Sequence, residues 1–456
     1  MEDFIFNELK KMLDDGHLRD LRERLSEMNE VDIAEFIEEF TGEKMLLVFR
    51  ILPKDIASDV FAYLDSDNKA KIVEGMNDKE LGLLVEELYV DDAVDFLEEV
   101  PANIVRRVLA NASRETRDII NRFLKYPENS AGSIMTIEMV ELHDRITVEE
   151  AIKNIRATGI DKETIYTCYV IDDKRHLVGV LPLRRLLLAD GSELIKNIMK
   201  DDEQIISVHT LEDQEVVAEI ARKYDLLSVP VVDGEGRLVG IITIDDIVDI
   251  IEEEATEDFQ KMALMSPSED QYLKTSVWKH TKSRIVWLLV LMISATITGR
   301  IITNFESILG AVAGLTACIP MLMDTGGNAG NQTSTLIIRS LALNEIKITD
   351  FFKVLYKELR VSLLCGAILA VANFARMYLL SDFIGVSKDN LKVFFVVCFS
   401  MLIAVVVAKC IGCTLPIAAK AVHLDPALMA GPMITTIIDA VTLLIYLCLA
   451  KAFLNL

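Results

Sequence analysis

Apolar positions along this chain follow three rhythms. As far as about residue 130 they recur every three or four residues with few β-branched runs, which predicts a series of short amphipathic helices. A weak repeat runs through that stretch: Asp32-Ile33-Ala34-Glu35-Phe36, Asp55-Ile56-Ala57-Ser58-Asp59 and Asp91-Asp92-Ala93-Val94-Asp95. Short helices repeated in this way stack into a small superhelical array. Aspartates near helix starts serve as N-caps or complement the helix dipole, and capping alone accounts equally well for Asp91.

From residue 134 to 253 the rhythm becomes strand, turn, strand, helix, and it occurs twice. Tyr169-Val170-Ile171-Asp172-Asp173 through Val178-Gly179-Val180-Leu181 aligns with Pro230-Val231-Val232-Asp233-Gly234 through Val239-Gly240-Ile241-Ile242, 61 residues later. Ile134-Met135 recurs as Ile198-Met199, and Thr147-Val148 as Thr210-Leu211. Two such units resemble a tandem pair of CBS (cystathionine-β-synthase) domains, and such pairs often hold an adenine nucleotide between them. Thr243-Ile244-Asp245-Asp246 is similar to the ribose-contacting Thr-x-x-Asp pattern, so Thr243 and Asp246 are the candidate nucleotide contacts. Pro182-Leu183-Arg184-Arg185 in the first unit lacks the pattern, which leaves one site for ATP or another adenine nucleotide.

The third rhythm is nearly continuous apolarity: Ile285 to Phe305, Ile308 to Met323, Leu359 to Leu380, Val393 to Ala419 and Leu428 to Leu449. Most reach the roughly 20 residues a helix needs to cross a bilayer. The second is shorter and runs into Asp324-Thr325-Gly326-Gly327-Asn328-Ala329-Gly330-Asn331-Gln332-Thr333, where three glycines are expected to break the helix beside a watery cavity. Five spans are therefore expected.

Charge separates the halves. Residues 1–275 carry 32 Lys+Arg against 62 Asp+Glu, whereas residues 276–456 carry 15 against 9. Met1-Glu2-Asp3 opens no signal peptide, and basic residues cluster before the first span (Lys279, Lys282, Arg284) and in the second loop (Arg339, Lys347, Lys353, Lys357, Arg360). The N-terminal half is thus expected in the cytoplasm and Leu456 outside an inner, multi-pass membrane. Six of seven cysteines fall in apolar spans, where Cys410 and Cys413 read as small packing residues.

Two features call for a cation. Asp245, Asp246, Asp249, Glu252, Glu253, Glu254, Glu257 and Asp258 lie between Asp245 and Gln260 without a basic residue. A solvated acidic face is the plain reading of such a run. However, the helical array supplies Asp59, Asp91, Asp95, Glu98 and Glu99, and two acidic surfaces dock poorly unless a hard divalent ion such as magnesium lies between them. In the last span, Asp439 follows Gly431-Pro432-Met433-Ile434-Thr435-Thr436; a mid-span carboxylate costs about 2.5–3.5 kcal/mol on insertion scales and should face a pore or a partner.

The GGNAGNQ stretch, the Gly-Pro…Thr-Thr…Asp motif, five spans, the CBS pair and the acidic helical domain together resemble the MgtE family of magnesium channels over nearly the whole chain. The resemblance implies a homodimer whose two-fold axis carries the pore. Asp439 would hold a hydrated magnesium ion there, and Gly326, Gly327, Asn328, Asn331, Gly431 and Thr435 would line the site. It also implies cytosolic sensor acids at Asp91, Asp95, Asp225, Asp245, Asp246, Asp249, Glu252, Glu254, Glu257 and Asp258, joined by Asp59 and, more remotely, by Asp213, Glu215 and Asp425. The implied division is an α-helical N-domain (1–130), an α/β CBS pair (131–196 and 197–254), a linking helix (255–278) and an all-α five-helix pore domain (279–456). The competing expectations are a nucleotide-regulated transporter of another cation or solute, and a membrane-tethered regulator without transport. Enzyme motifs such as HExxH, P-loop and GxSxG are absent from the sequence.

Overall fold

The computed structural model describes residues 2–200, 205–268, 272–273, 275–312, 314–379 and 391–454. Leu380 and Leu456 lie outside the described residues, as does the side chain of Asp55. The chain forms two compact units, Met1–Ile251 and Glu252–Leu456.

The first unit begins with ten short helices between Glu2 and Phe123. Each is too short to be stable alone. They support one another in two layers: the third packs on the fifth, the fifth on the seventh and the seventh on the ninth, while the fourth, sixth and eighth form the other layer. Caps come from Asn29, Asp65, Asn77 and Ser113, each accepting a backbone N–H of the first turn. The repeat aspartates are not caps. Asp91 sits one residue inside the helix Val90–Glu99, whose cap position is Tyr89, and its side chain is buried at 8% exposure.

Two three-stranded sheets follow. In the first, β1 (Val140–His143) pairs parallel with β2 (Thr167–Ile171), which pairs antiparallel with β3 (Leu177–Pro182). β4 (Val208–His209), β5 (Ser228–Val232) and β6 (Leu238–Thr243) repeat that topology. The sheets share a small core of Tyr169, Ile171, Leu177, Val232, Leu238 and Ile241, with the Tyr169 hydroxyl 2.6 Å from Ser228 Oγ. The apolar core of the helical array continues into the second sheet through Val208, Val229 and Ile242, and into the segment after it through Ile247 and Ile250.

β6 leads straight into one helix, Ile244–Met262. The acidic run therefore belongs to a single helix from Asp245 onward, as its Ile247/Ile250 spacing implies. The expected linking helix is shorter than its 255–278 assignment: it ends at Met262, where Leu264 adopts the left-handed region (φ 53°). A new helix starts at Val277, capped by Ser276.

Among the described residues the second unit has five long helices: Val277–Asn304, Leu315–Ala342, Phe351–Leu379, Leu391–Ala421 and Gly431–Leu454. Among the described residues, four have the length and apolarity to cross a membrane; Leu315–Ala342 is as long as the first but carries the polar run. The helix break expected at Gly326–Gly330 is absent, because these glycines lie inside Leu315–Ala342 with their backbone groups engaged in the helix. They serve packing. A Cβ on Gly326 would lie 2.5 Å from Thr442 Oγ1, and one on Gly412 would lie 2.5 Å from the Gly330 carbonyl oxygen. Small residues thus let the second and fourth helices meet backbone to backbone and let side chains of the fifth, Thr442 and Ile438, seat against the second, the usual device where lipid removes the hydrophobic driving force. The fourth helix packs on the second, third and fifth; the first packs on the fifth and buries none of its apolar window.

Since a side chain at Gly412 would meet backbone rather than a movable side chain, Gly412→Val should cost about 1–3 kcal/mol. Its thermal unfolding in detergent should fall by several degrees, and a variant as stable as the parent would contradict the close approach.

Candidate functional sites: an acidic cluster and a membrane carboxylate

The first unit gathers carboxylates from two sources. The helical array brings Asp59, Asp91, Asp92 and Asp95; the CBS pair brings Glu138, Glu163, Asp245 and Asp246. Their mutual influence appears in how tightly they hold protons. Burial, reinforced by Asp92, Asp246 and Glu163, raises the pKa of Asp91 well above the usual carboxylate range. Burial with Asp92, Asp246 and Glu98 pushes Asp95 up to about 7, against the pull of Lys69. Asp92 and Asp246 rise to about 6, and Glu163, facing Asp245 and Asp246, rises to about 8. In every case desolvation is the larger cause and like charge the next hostile one. Glu163 Oε2 is fully buried with no hydrogen-bond partner.

Glu163 and Glu138 are the residues that sequence reasoning missed. Glu163 lies in a loop between the Gly159–Asp161 turn and β2, and its N–H donates to the Glu138 carbonyl at 2.8 Å. Glu138 Oε2 is itself fixed by Thr136 Oγ1 at 2.6 Å and by the Ile137 N–H. No run of acids flags either position; only the fold brings them opposite Asp91.

Other expected sensor residues lie at the ends of the helix Gln214–Tyr224 and further along the acidic helix. Asp213 caps the helix Gln214–Tyr224 by accepting the Glu215 N–H at 2.9 Å, and Asp225 ends that helix in the left-handed region. Eleven residues of helix, about 16 Å, separate them. Asp249 and Glu252 are exposed along the acidic helix. Thr243 and Asp246 are bonded to each other, with Thr243 Oγ1 donating to Asp246 Oδ2 at 2.7 Å. Among the described residues no three carboxylate, imidazole or thiolate groups converge closely enough to ligate one ion directly.

In the second unit the helix end carrying Glu257, Asp258 and Lys261 meets the loop before the fifth long helix. Lys261 Nζ lies 2.7 Å from Asp425 Oδ2 and also pairs with Glu257. Burial opposes the Lys261 charge, but the hydrogen bonds it donates to Asp425 and Glu257 raise its pKa nonetheless. Burial and then Asp425 raise that of Asp258. Asp425 caps the short turn Pro426–Met429 by accepting the Ala427 N–H at 2.8 Å. Gly431 follows at φ 51°, and a Cβ there would lie 2.4 Å from the Met262 carbonyl oxygen. The end of the acidic helix thus rests against the first residue of the helix that carries Asp439.

Asp439 is half-buried on Gly431–Leu454. The second long helix backs onto it: a Cβ on Gly327 would lie 3.4 Å from Asp439 Oδ1 and from Thr435. Asn331 Oδ1 accepts the Gly431 N–H at 2.8 Å. Ser334 Oγ likewise donates to the Met429 carbonyl at 2.5 Å. Thr435 Oγ1 turns back to the Pro432 carbonyl at 3.0 Å. Asn328 is exposed, donating to Asp324 Oδ1 at 3.0 Å, and Asp324, Asn328 and Gln332 form an exposed polar stripe at four-residue spacing. Asp324 was not anticipated as a site residue.

Comparison with known proteins agrees with this layout. A family model described as a divalent cation transporter matches residues 319–449, the MgtE intracellular N-domain matches 28–129, and CBS domains match 131–192 and 195–253. The chain is 36% identical to the magnesium transporter MgtE of Thermus thermophilus over the full length of both proteins. It is 30% identical to that of Bacillus subtilis, over 97% of this chain and 96% of the relative. Among solved structures, the soluble part of a magnesium transporter matches with a TM-score of 0.53 at 32% identity, covering 56% of this chain and 100% of that one. The cytosolic domain of the Mg2+ channel MgtE in complex with ATP matches with a TM-score of 0.50 at 37% identity, over 53% of this chain and 98% of that one. Carrying all three family domains in order and matching these relatives from end to end, the chain belongs to the MgtE family of magnesium transporters.

Proposed function

We propose that the chain is a magnesium channel that closes when cytosolic magnesium binds its acidic first unit. The observation that carries the pore reading is Asp439: a carboxylate inside an apolar span, backed by Gly327, with no Lys or Arg partner among the described residues. Two copies in a homodimer would place two such carboxylates about the two-fold axis, with the polar stripe of Asp324, Asn328 and Gln332 turned to the same water. Such a ring attracts a hydrated ion through its waters and binds weakly enough to release it. Inward flow needs no coupled ion, because the membrane potential contributes about 2.3 kcal/mol per charge per 100 mV.

The sensor rests on differential binding. Ions that neutralise Asp91, Asp95, Glu163, Asp245 and Asp246 favour the arrangement in which these groups are close, and so populate it. Asp59, Asp249, Glu252 and Glu254 extend the acidic field toward the helix end, and Asp213, Glu215 and Asp225 add charge on the neighbouring helix. Glu257, Asp258, Lys261 and Asp425 then transmit the state to Gly431 and the pore helix. The N-terminus is cytoplasmic and the C-terminus outside. An adenine nucleotide, as in the related cytosolic domain, would lie in the groove formed by Tyr166, Leu183, Arg184, Leu187 and Leu227. Occupying Thr243 and Asp246 as well would require breaking their mutual hydrogen bond.

Asp439→Asn should lower magnesium uptake into proteoliposomes at least tenfold, about 1.4 kcal/mol or more, while the protein inserts normally; undiminished uptake would remove Asp439 from the pore. Replacing Asp91 and Asp95 by Asn should change the internal magnesium concentration that closes the channel, and an unaltered closing curve would exclude them from the sensor. The pH dependence has a definite sign. Asp92, Asp95, Glu163 and Asp246 hold protons to higher pH in the fold than in the unfolded chain, where carboxylates titrate near 4. Between about pH 4 and about pH 8 the fold therefore binds more protons and loses stability as pH rises. Without divalent ions, protease should attack the cytosolic half faster at pH 8.5 than at pH 6, and magnesium should abolish the difference; equal rates would contradict the crowding.

A further inference from the structure

A second set of charged groups lies inside the membrane half and takes no part in the reading so far. Lys409, Thr333 and Glu358 are buried at 8%, 2% and 7% exposure. They come from three different long helices, Leu391–Ala421, Leu315–Ala342 and Phe351–Leu379. Lys409 Nζ donates to Thr333 Oγ1 at 3.1 Å, and Thr333 Oγ1 donates to Glu358 Oε2 at 3.2 Å. The hydroxyl has one proton to give and lone pairs to receive, so the direction of both bonds is fixed. Ammonium and carboxylate are bridged rather than in direct contact. Gly412 makes the reach possible: a Cβ there would lie 2.5 Å from the Gly330 carbonyl and 3.2 Å from Thr333 Cβ, so only glycine lets the fourth helix come this close.

Ionisable groups inside a membrane domain are rare and costly, and breaking one partner of a buried pair leaves the other uncompensated. Thr333 lies six residues from Gly327, on the helix that backs Asp439, and two from Asn331, which fixes the first residue of the pore helix. Six residues of helix span about 9 Å. A net charge at Thr333 would thus be felt by a divalent ion at Asp439.

We propose that Lys409, Thr333 and Glu358 are positioning residues that act as one electrically neutral clamp on the second long helix, and that this neutrality sets how tightly the pore holds its ion. The inference rests on the Asp439 pore reading. Lys409 is a buried counter-charge twelve residues before the end of its helix.

The test is magnesium uptake by the full-length protein in liposomes over a range of external magnesium, separating KM from maximal rate. Glu358→Gln leaves the Lys409 charge alone and should raise KM by about threefold or more; Lys409→Met leaves the carboxylate and should lower it by a similar factor. The double variant, with no buried charge, should return KM to within about twofold of the parent. A purely structural role would lower the amount of inserted protein without moving KM in opposite directions. Singles that shift KM the same way or not at all, or a double variant no closer to the parent than the singles, would overturn the proposal. If a single variant does not insert, the double variant decides: parental KM upholds the clamp, and a displaced KM overturns it. Asp439→Asn in the same vesicles separates the two readings. Flux surviving that change defeats the pore assignment, whereas Asp439-dependent flux with unmoved KM in the Glu358 and Lys409 variants defeats only the clamp.

Discussion

Carboxylates packed together where neither water nor a basic side chain can neutralise them govern this molecule. Asp91, Asp92, Asp95, Glu163 and Asp246 all cling to their protons because burial and like charge both penalise ionisation. A protein carrying such a cluster at neutral pH leaves it partly protonated, lets it spread apart, or brings in a counter-ion. A hydrated divalent cation satisfies the third course without requiring three side chains to converge on one point, consistent with the spacing among the described residues. Under the proposed function, the energy that would otherwise separate the helical array from the CBS pair would become sensitive to ion concentration.

The membrane half works by a complementary economy of small residues. Gly326, Gly327, Gly330 and Gly412 carry no side chain so that three helices can meet closely, and the polar groups that remain are tied to specific partners. Asn331 and Ser334 hold the start of the fifth helix, and the buried trio of Lys409, Thr333 and Glu358 holds the second. At the start of the fifth helix, Met262 rests on Gly431 while Lys261 grips Asp425. The end of the acidic helix is therefore in direct contact with the first residue of the helix that carries Asp439.

Much of this was legible in the sequence. The three apolar rhythms separated the helical array, the CBS pair and the membrane helices, because each rhythm reflects the geometry of burial in its own architecture. Asp439 stood out because a lone carboxylate in an apolar span has no cheap explanation. The glycine run misled: a glycine that permits close packing and one that breaks a helix look the same in sequence, and only the positions of Thr442, Ile438 and Ala408 against Gly326 and Gly330 distinguish them. Asp91 read equally well as a cap or as an ion-facing acid, because helix starts shift by one or two residues in any reading of sequence. Glu138 and Glu163 were invisible because their importance comes from long-range folding, as does the pairing of Lys409 with Glu358 through Thr333.

The most direct test is to count magnesium ions bound per chain by equilibrium dialysis of the purified full-length protein, with Asp439 replaced by Asn so that the pore contributes nothing. Binding at millimolar magnesium that persists in this background, and falls when Asp91, Asp95 and Asp246 are also replaced by Asn, is what the crowded carboxylates require. No bound magnesium in the Asp439→Asn background would contradict the claim that the acidic cluster is a holding place for the ion.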